Sequence, residues 1–136
     1  MSIAVLDFGG QYAHLIANRI RRLHAYARIC SPQVSLDELQ GVHGLILSGG
    51  PSSVYDPAQP PYNPALFGAG LPILGLCYGH QLLCQHLGGQ VEPGQTREFG
   101  AARLHVGKGE GVLKGLGPEE RVWMSHQDTV SRLPAG

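Results

Sequence analysis

The run Pro72-Ile73-Leu74-Gly75-Leu76-Cys77-Tyr78-Gly79-His80-Gln81 constrains the fold more than any other stretch of the chain. Ile73 to Leu76 is a short apolar segment that reads as a buried strand. It ends at a cysteine with Gly75 before it and Gly79 after it, each two positions away. Beyond Gly79 the spacing of Leu83 and Leu87 is helical, and Gly88-Gly89 stops the helix. Strand, sharp turn with a nucleophile at its tip, then helix is the geometry of a nucleophile elbow. Glycine on both sides suits strained backbone and segments that pass too close for a Cβ. A place at a helix N-terminus predicts a lowered thiol pKa, because unpaired N–H groups and the helix dipole favour negative charge. A lone cysteine is more often a small buried hydrophobe. The strand, the paired glycines and the helix instead make Cys77 a candidate nucleophile.

The segments around this elbow alternate between strand and helix patterns. Ile3-Ala4-Val5-Leu6 is an apolar run closed by Asp7-Phe8-Gly9-Gly10, a buried strand and a tight turn. Tyr12, Leu15, Ile16, Ile20 and Leu23 follow at helical spacing, with Arg19, Arg21 and Arg22 towards the other side. Ala25 to Cys30 reads as a second strand, and Ser35 with Glu38 forms a capping box for a short helix. Leu45-Ile46-Leu47 is a third strand ending in Ser48-Gly49-Gly50-Pro51, and residues 52–64 read as a surface loop before a short helix near 65–67. After Gly89, Val91, Ala101 to Val106 and Arg121 to Met124 read as short antiparallel or mixed strands added to one side of the sheet. The expected fold class is α/β: an open, mostly parallel, flavodoxin-like sheet with helices on both faces and right-handed crossovers, plus added antiparallel strands. Residues 1–136 read as one domain.

Ligands in open α/β sheets bind at the carboxyl ends of the strands. The loops 7–11, 48–51 and 77–81 all leave strands at that edge and are expected to converge on one crevice. Ten basic and ten acidic side chains cancel, so no footprint for nucleic acid or a membrane surface is expected. No signal-peptide pattern and no long apolar run is present, and the three cysteines lack metal-ligand spacing, which together suggest reduced thiols in a cytoplasm.

Gly75-Leu76-Cys77-Tyr78-Gly79-His80-Gln81 resembles the nucleophile motif of the triad glutamine amidotransferases, in the branch found in GMP synthase. Asp7-Phe8-Gly9-Gly10-Gln11-Tyr12, Arg97-Glu98-Phe99-Gly100 and Val122-Trp123-Met124-Ser125-His126 are similar to further motifs of that branch, although serine is commoner at Gly10. The resemblance implies glutamine hydrolysis through a thioester on Cys77, with the backbone N–H groups of Gly50 and Tyr78 as oxyanion donors. It implies that Gln81, Ser125, His126, Gln127 and Asp128 bind L-glutamine, with Gln127 where glycine is more usual. No metal or cofactor is implied for this domain. ATP and Mg²⁺ are expected only on a separate synthetase domain or subunit, the partner that aminates XMP.

The family's general base and its carboxylate partner stand in a His-Pro-Glu motif. Of the histidines after Cys77, namely His80, His86, His105 and His126, none precedes Pro-Glu. The chain stops at Leu133-Pro134-Ala135-Gly136, which reads as mid-loop, so the last part of the domain is expected to be missing and the chain largely inactive alone. His126 with Asp128 is an alternative base within the chain, since alternation along an extended segment puts both on one face. Two other readings are a catalytically inactive glutamine-binding module and a relative of the cysteine-elbow chaperones and peptidases.

Overall fold

The computed structural model describes residues 1–135, and at 95–99 the backbone without side chains. The Arg97-Glu98-Phe99 part of the motif above and Gly136 therefore lie outside the described residues. Strands β1 (Ser2–Leu6), β2 (Tyr26–Cys30), β3 (Gly44–Leu47) and β4 (Ile73–Gly75) form a parallel sheet in the order β2-β1-β3-β4. Helices α1 (Ala13–Arg22) and α2 (Tyr78–His86) follow β1 and β4.

Successive strand residues face opposite sides of a sheet. Ala4, Leu6, Leu45 and Leu47 therefore share one face, where Tyr78 and Leu82 of α2 bury with Phe8, Val54 and Leu66. Val5 and Ile46 share the other, covered by α1 through Ala13, Ala17, Ile16 and Ile20. The two alanines let α1 approach β1 closely. Helices thus cover both faces, as the alternating sequence pattern requires. Each fully buried large side chain, such as Leu82 or Phe8, contributes about 1.5–3 kcal/mol relative to exposure. The Arg21 guanidinium ties the end of α1 to β2, donating to the Ala27 carbonyl from Nε at 3.1 Å and Nη2 at 2.8 Å.

The capping box is present. The Ser35 N–H donates to Glu38 Oε2 at 3.1 Å, and the Glu38 N–H donates to Ser35 Oγ at 3.3 Å. The helix that they open is one 3₁₀ turn, Asp37–Leu39. The second short helix is also 3₁₀, at Pro64–Gly68. The 52–64 loop is less superficial than its composition suggests, because Val54 is buried in the core.

The C-terminal part departs from expectation. It is not three short strands on one side of the main sheet. Two long strands, β5 (Gln90–His105) and β6 (Glu119–Arg132), pair antiparallel as a sheet of their own, with an irregularity between Pro93 and Glu98. Proline has no N–H for the ladder, which suits a break there. The root of this ribbon packs on α2, where Val91 is buried and the Cys84 thiol donates to the Arg132 carbonyl at 3.5 Å. Farther out the ribbon is open to solvent, with Trp123 74% exposed. Exposure alternates along β6, but Glu120, His126 and Asp128 interrupt its sheltered side and Trp123 stands on the open one, so the polar pattern does not follow and the strands read as fragments.

The elbow glycines are set by close packing. A Cβ on Gly79 would lie 2.4 Å from the Leu47 carbonyl oxygen and 2.5 Å from Leu47 Cβ. Gly79→Ala should therefore destabilise the chain by about 1–3 kcal/mol through overpacking. Urea unfolding checks this against Gly68→Ala, where the added Cβ has nothing within 4 Å. Equal midpoints for the two variants would contradict the packing.

Candidate active site

Leu6, Leu47 and Gly75 are paired in register, so β1, β3 and β4 end at one edge of the sheet. The loops that follow meet there as expected, but with different roles. The 48–51 and 77–81 turns line a pocket of about 400 Å³, whose opposite wall comes from residues 125–128 of β6. The 7–11 turn stands behind it. A Cβ on Gly10 would lie 2.3 Å from the Gly49 carbonyl oxygen, and one on Gly50 would lie 2.5 Å from that of Phe8. The two turns interlock backbone against backbone, and this packing leaves no room for a serine at Gly10. Ser48, fully buried, pins them together: its Oγ accepts the Phe8 N–H at 3.2 Å and donates to the Gly49 carbonyl at 3.0 Å.

Cys77 is the N-cap residue of α2, with φ 49° and ψ −114°. A positive φ is uncommon outside glycine, and such a conformation costs on the order of 1–3 kcal/mol that the surrounding packing must offset. Gly79 against Leu47 supplies part of that packing, and Gly49, whose Cβ position is 3.3 Å from Cys77 Cβ, supplies more. The strained turn presents the thiol to the pocket.

The expected lowering of the Cys77 pKa is overturned. Burial pushes the thiol up from its ordinary value, even though its surface opens to the pocket. The sulfur makes no capping hydrogen bond to the helix, so the N–H groups of α2 do not offset desolvation of the thiolate. Cys30 is also pushed up, first by its burial, and Cys84 is buried. Accessibility distinguishes Cys77 from the other two thiols.

Every residue to which the resemblance gives a catalytic or substrate-binding role lines this pocket. Gly50, Cys77, Tyr78 and Gln81 come from the elbow side, and Ser125, His126, Gln127 and Asp128 from the ribbon. The Tyr78 side chain belongs to the core, its ring 5.3 Å from that of Phe8 and its hydroxyl donating to Gln59 Oε1 at 3.3 Å. Its backbone N–H, like that of Gly50, donates to no acceptor among the described residues. Gln81 is buried, and its Nε2 donates to the Asp128 carbonyl at 2.7 Å, joining α2 to the ribbon. Gln127 is exposed at the rim, where its side chain has room. Asp128 is buried, and its Oδ2 accepts from the Ser53 hydroxyl.

Ser52, Ser53 and Asp56 also line the pocket and were missed in the sequence, where they sit in a stretch read as surface loop. The available signal was their position directly after Gly50-Pro51, at the carboxyl edge of β3.

A raised thiol pKa fixes the sign of the pH response. Thiolate is scarce at neutral pH and accumulates as pH rises through the raised value. Alkylation of Cys77 by iodoacetamide should therefore accelerate from pH 7 to about pH 10, as the thiolate fraction grows. Peptide mass mapping should place the label on Cys77 before Cys30 or Cys84. A rate already flat at pH 7 would mean that the helix terminus prevails over burial.

Comparison with known proteins places this geometry. The glutamine amidotransferase class-I family matches residues 4–136. A probable GMP synthase (glutamine-hydrolyzing) of Leptospira interrogans is 53% identical over 136 residues, covering 98% of this chain and 23% of that protein. The GMP synthase (glutamine-hydrolyzing) of Symbiobacterium thermophilum is 47% identical over 137 residues, covering 98% and 27%. The chain thus spans about a quarter of the length of the curated relatives it matches. Among solved structures, a putative GMP synthase subunit of Thermoplasma acidophilum superposes with TM-score 0.80 at 32% identity, over 98% of this chain and 68% of that one. A glutamine amidotransferase of Thermotoga maritima, at 19% identity and TM-score 0.75, shares the fold. With the elbow, the pocket and a match across nearly its whole length, the chain belongs to the class-I glutamine amidotransferase family.

Proposed function

We propose that this chain is the glutamine-hydrolysing part of a GMP synthase. The observation that carries the reading is the strained Cys77, sharing its pocket with Tyr78 and Gly50, whose backbone N–H groups donate to no acceptor among the described residues. Cys77 Sγ attacks the side-chain carboxamide of glutamine, forming a C–S bond and a tetrahedral oxyanion. The N–H groups of Tyr78 and Gly50 receive that oxyanion, each such donor giving about 3–4 kcal/mol of transition-state stabilisation. Collapse breaks the C–N bond, ammonia leaves with a proton, and water hydrolyses the γ-glutamyl thioester to glutamate. The steps use the thiol, backbone donors and a proton carrier, and require no cofactor in this domain.

The raised thiol pKa makes the proton carrier essential, since a neutral thiol must lose its proton as it attacks. The sequence contains no His-Pro-Glu. We assign the base to a segment carrying that motif, and the ammonia to an ATP- and Mg²⁺-dependent synthetase domain or subunit that aminates XMP. That the curated relatives are glutamine-hydrolyzing GMP synthases about four times as long as this chain supports a further part that uses the ammonia. His126 and Asp128 both line the pocket, but the Asp128 carboxylate is engaged by Ser53, which favours substrate binding over a catalytic pair for this loop.

This chain alone should hydrolyse glutamine about 10²–10⁴-fold more slowly than one that also carries His-Pro-Glu, the usual loss on removing a general acid–base. The comparison needs three proteins: this chain, an extended chain and the His126→Ala variant. High activity in the short chain that vanishes with His126→Ala would overturn the assignment and make His126 the base.

A further inference from the structure

Asp128 is a carboxylate only 8% exposed, yet no arginine or lysine among the described residues pairs with it. Its surroundings hold it from two directions. Gln81 Nε2, on α2, donates to its main-chain carbonyl at 2.7 Å, and the Ser53 hydroxyl, from the loop after β3, donates to Oδ2. The other carboxylate oxygen, Oδ1, accepts no hydrogen bond from the described residues. It is not sealed off either, because no buried side-chain oxygen among the described residues lacks a partner. Asp128 lines the same pocket as Cys77. A buried carboxylate is costly unless a donor or a cation satisfies it. One oxygen is satisfied by the protein, and the other is left for a ligand.

We propose that Ser53 is a positioning residue that turns Asp128 so that its second oxygen accepts the α-ammonium group of the substrate amino acid. The proposal rests on the reading of the pocket as a glutamine site, in which the resemblance already gives Asp128 to the substrate, and adds to it the residue that sets how that carboxylate is turned. Ser53 touches Asp128 and acts through it. The loop carrying Ser53 is fastened to the ribbon a second time, by the Tyr55 hydroxyl donating to the Val91 carbonyl. That bond offers a control, since it tethers the same loop without touching the carboxylate.

The test uses three thiol reagents on the chain as it is: a glutamine-shaped diazoketone, the same diazoketone lacking the α-amino group, and iodoacetamide. Wild type should label Cys77 faster with the amine-bearing diazoketone than with the deaminated one. Hydrogen bonds to charged groups are worth about 1.5–3 kcal/mol, so Ser53→Ala should cut that preference by about tenfold or more. Ser53→Thr, which keeps the hydroxyl, should restore it, and Ser53→Cys, a weak donor, should fall near Ser53→Ala. Reading two Ser53 replacements keeps the test decisive if one fails to fold. Full preference in Ser53→Ala or Ser53→Cys overturns the proposal. So does a matching loss in Tyr55→Phe, which would mean that any loosening of the loop has the same effect. A wild type that labels no faster with the amine-bearing diazoketone than with iodoacetamide would instead remove the glutamine reading itself.

Discussion

The site depends on backbone passing backbone with no side chain between. Gly10 against the Gly49 carbonyl, Gly50 against that of Phe8 and Gly79 against that of Leu47 draw three turns together at one edge of a parallel sheet. A Cβ at any of these positions would come within 2.5 Å of a carbonyl oxygen, so something would have to move. The buried Ser48 hydroxyl adds a hydrogen bond where two of the turns meet. This packing allows Cys77 to hold a positive φ and leaves the N–H groups of Tyr78 and Gly50 without acceptors among the described residues. In energetic terms, the core on both faces of the sheet sustains local strain that the turn could not sustain by itself.

The second half of the site is built on different physics. The ribbon shares no strand pairing with the parallel sheet and reaches the pocket through side chains. Gln81 holds it from α2, while Ser53 and Tyr55 hold it from the loop after β3. The elbow wall of the pocket is therefore set by main-chain packing, and the ribbon wall by polar contacts that single substitutions can loosen.

Much of this was legible in the sequence, for identifiable reasons. Cys77 between Gly75 and Gly79, after an apolar run and before helical spacing, encodes the elbow locally, because strand, turn and helix signals are all short-range. The shared edge of β1, β3 and β4 followed from parallel topology. The role of Ser53 was not legible, since its contact lies across the fold: it meets Asp128 from 75 positions away. The ribbon was legible only as fragments, because Glu120 and His126 lie on its sheltered side and Trp123 on its open one. The thiol pKa was read with the wrong sign. A helix N-terminus is visible in a sequence, but the desolvation that outweighs it is set by distant packing.

The central claim is that Cys77 acylates on the side-chain carbonyl of a glutamine-shaped substrate held in this pocket. Its most direct test is a γ-nitrophenyl ester of glutamate at about pH 10, where the leaving group departs without being protonated and the thiolate forms without a base, so neither half of the proton carrier is required. The expected result is a burst of one nitrophenolate per chain, with the glutamyl mass on the Cys77 peptide and no burst in Cys77→Ser. A missing burst, or a glutamyl group on Cys30 or Cys84, would contradict it.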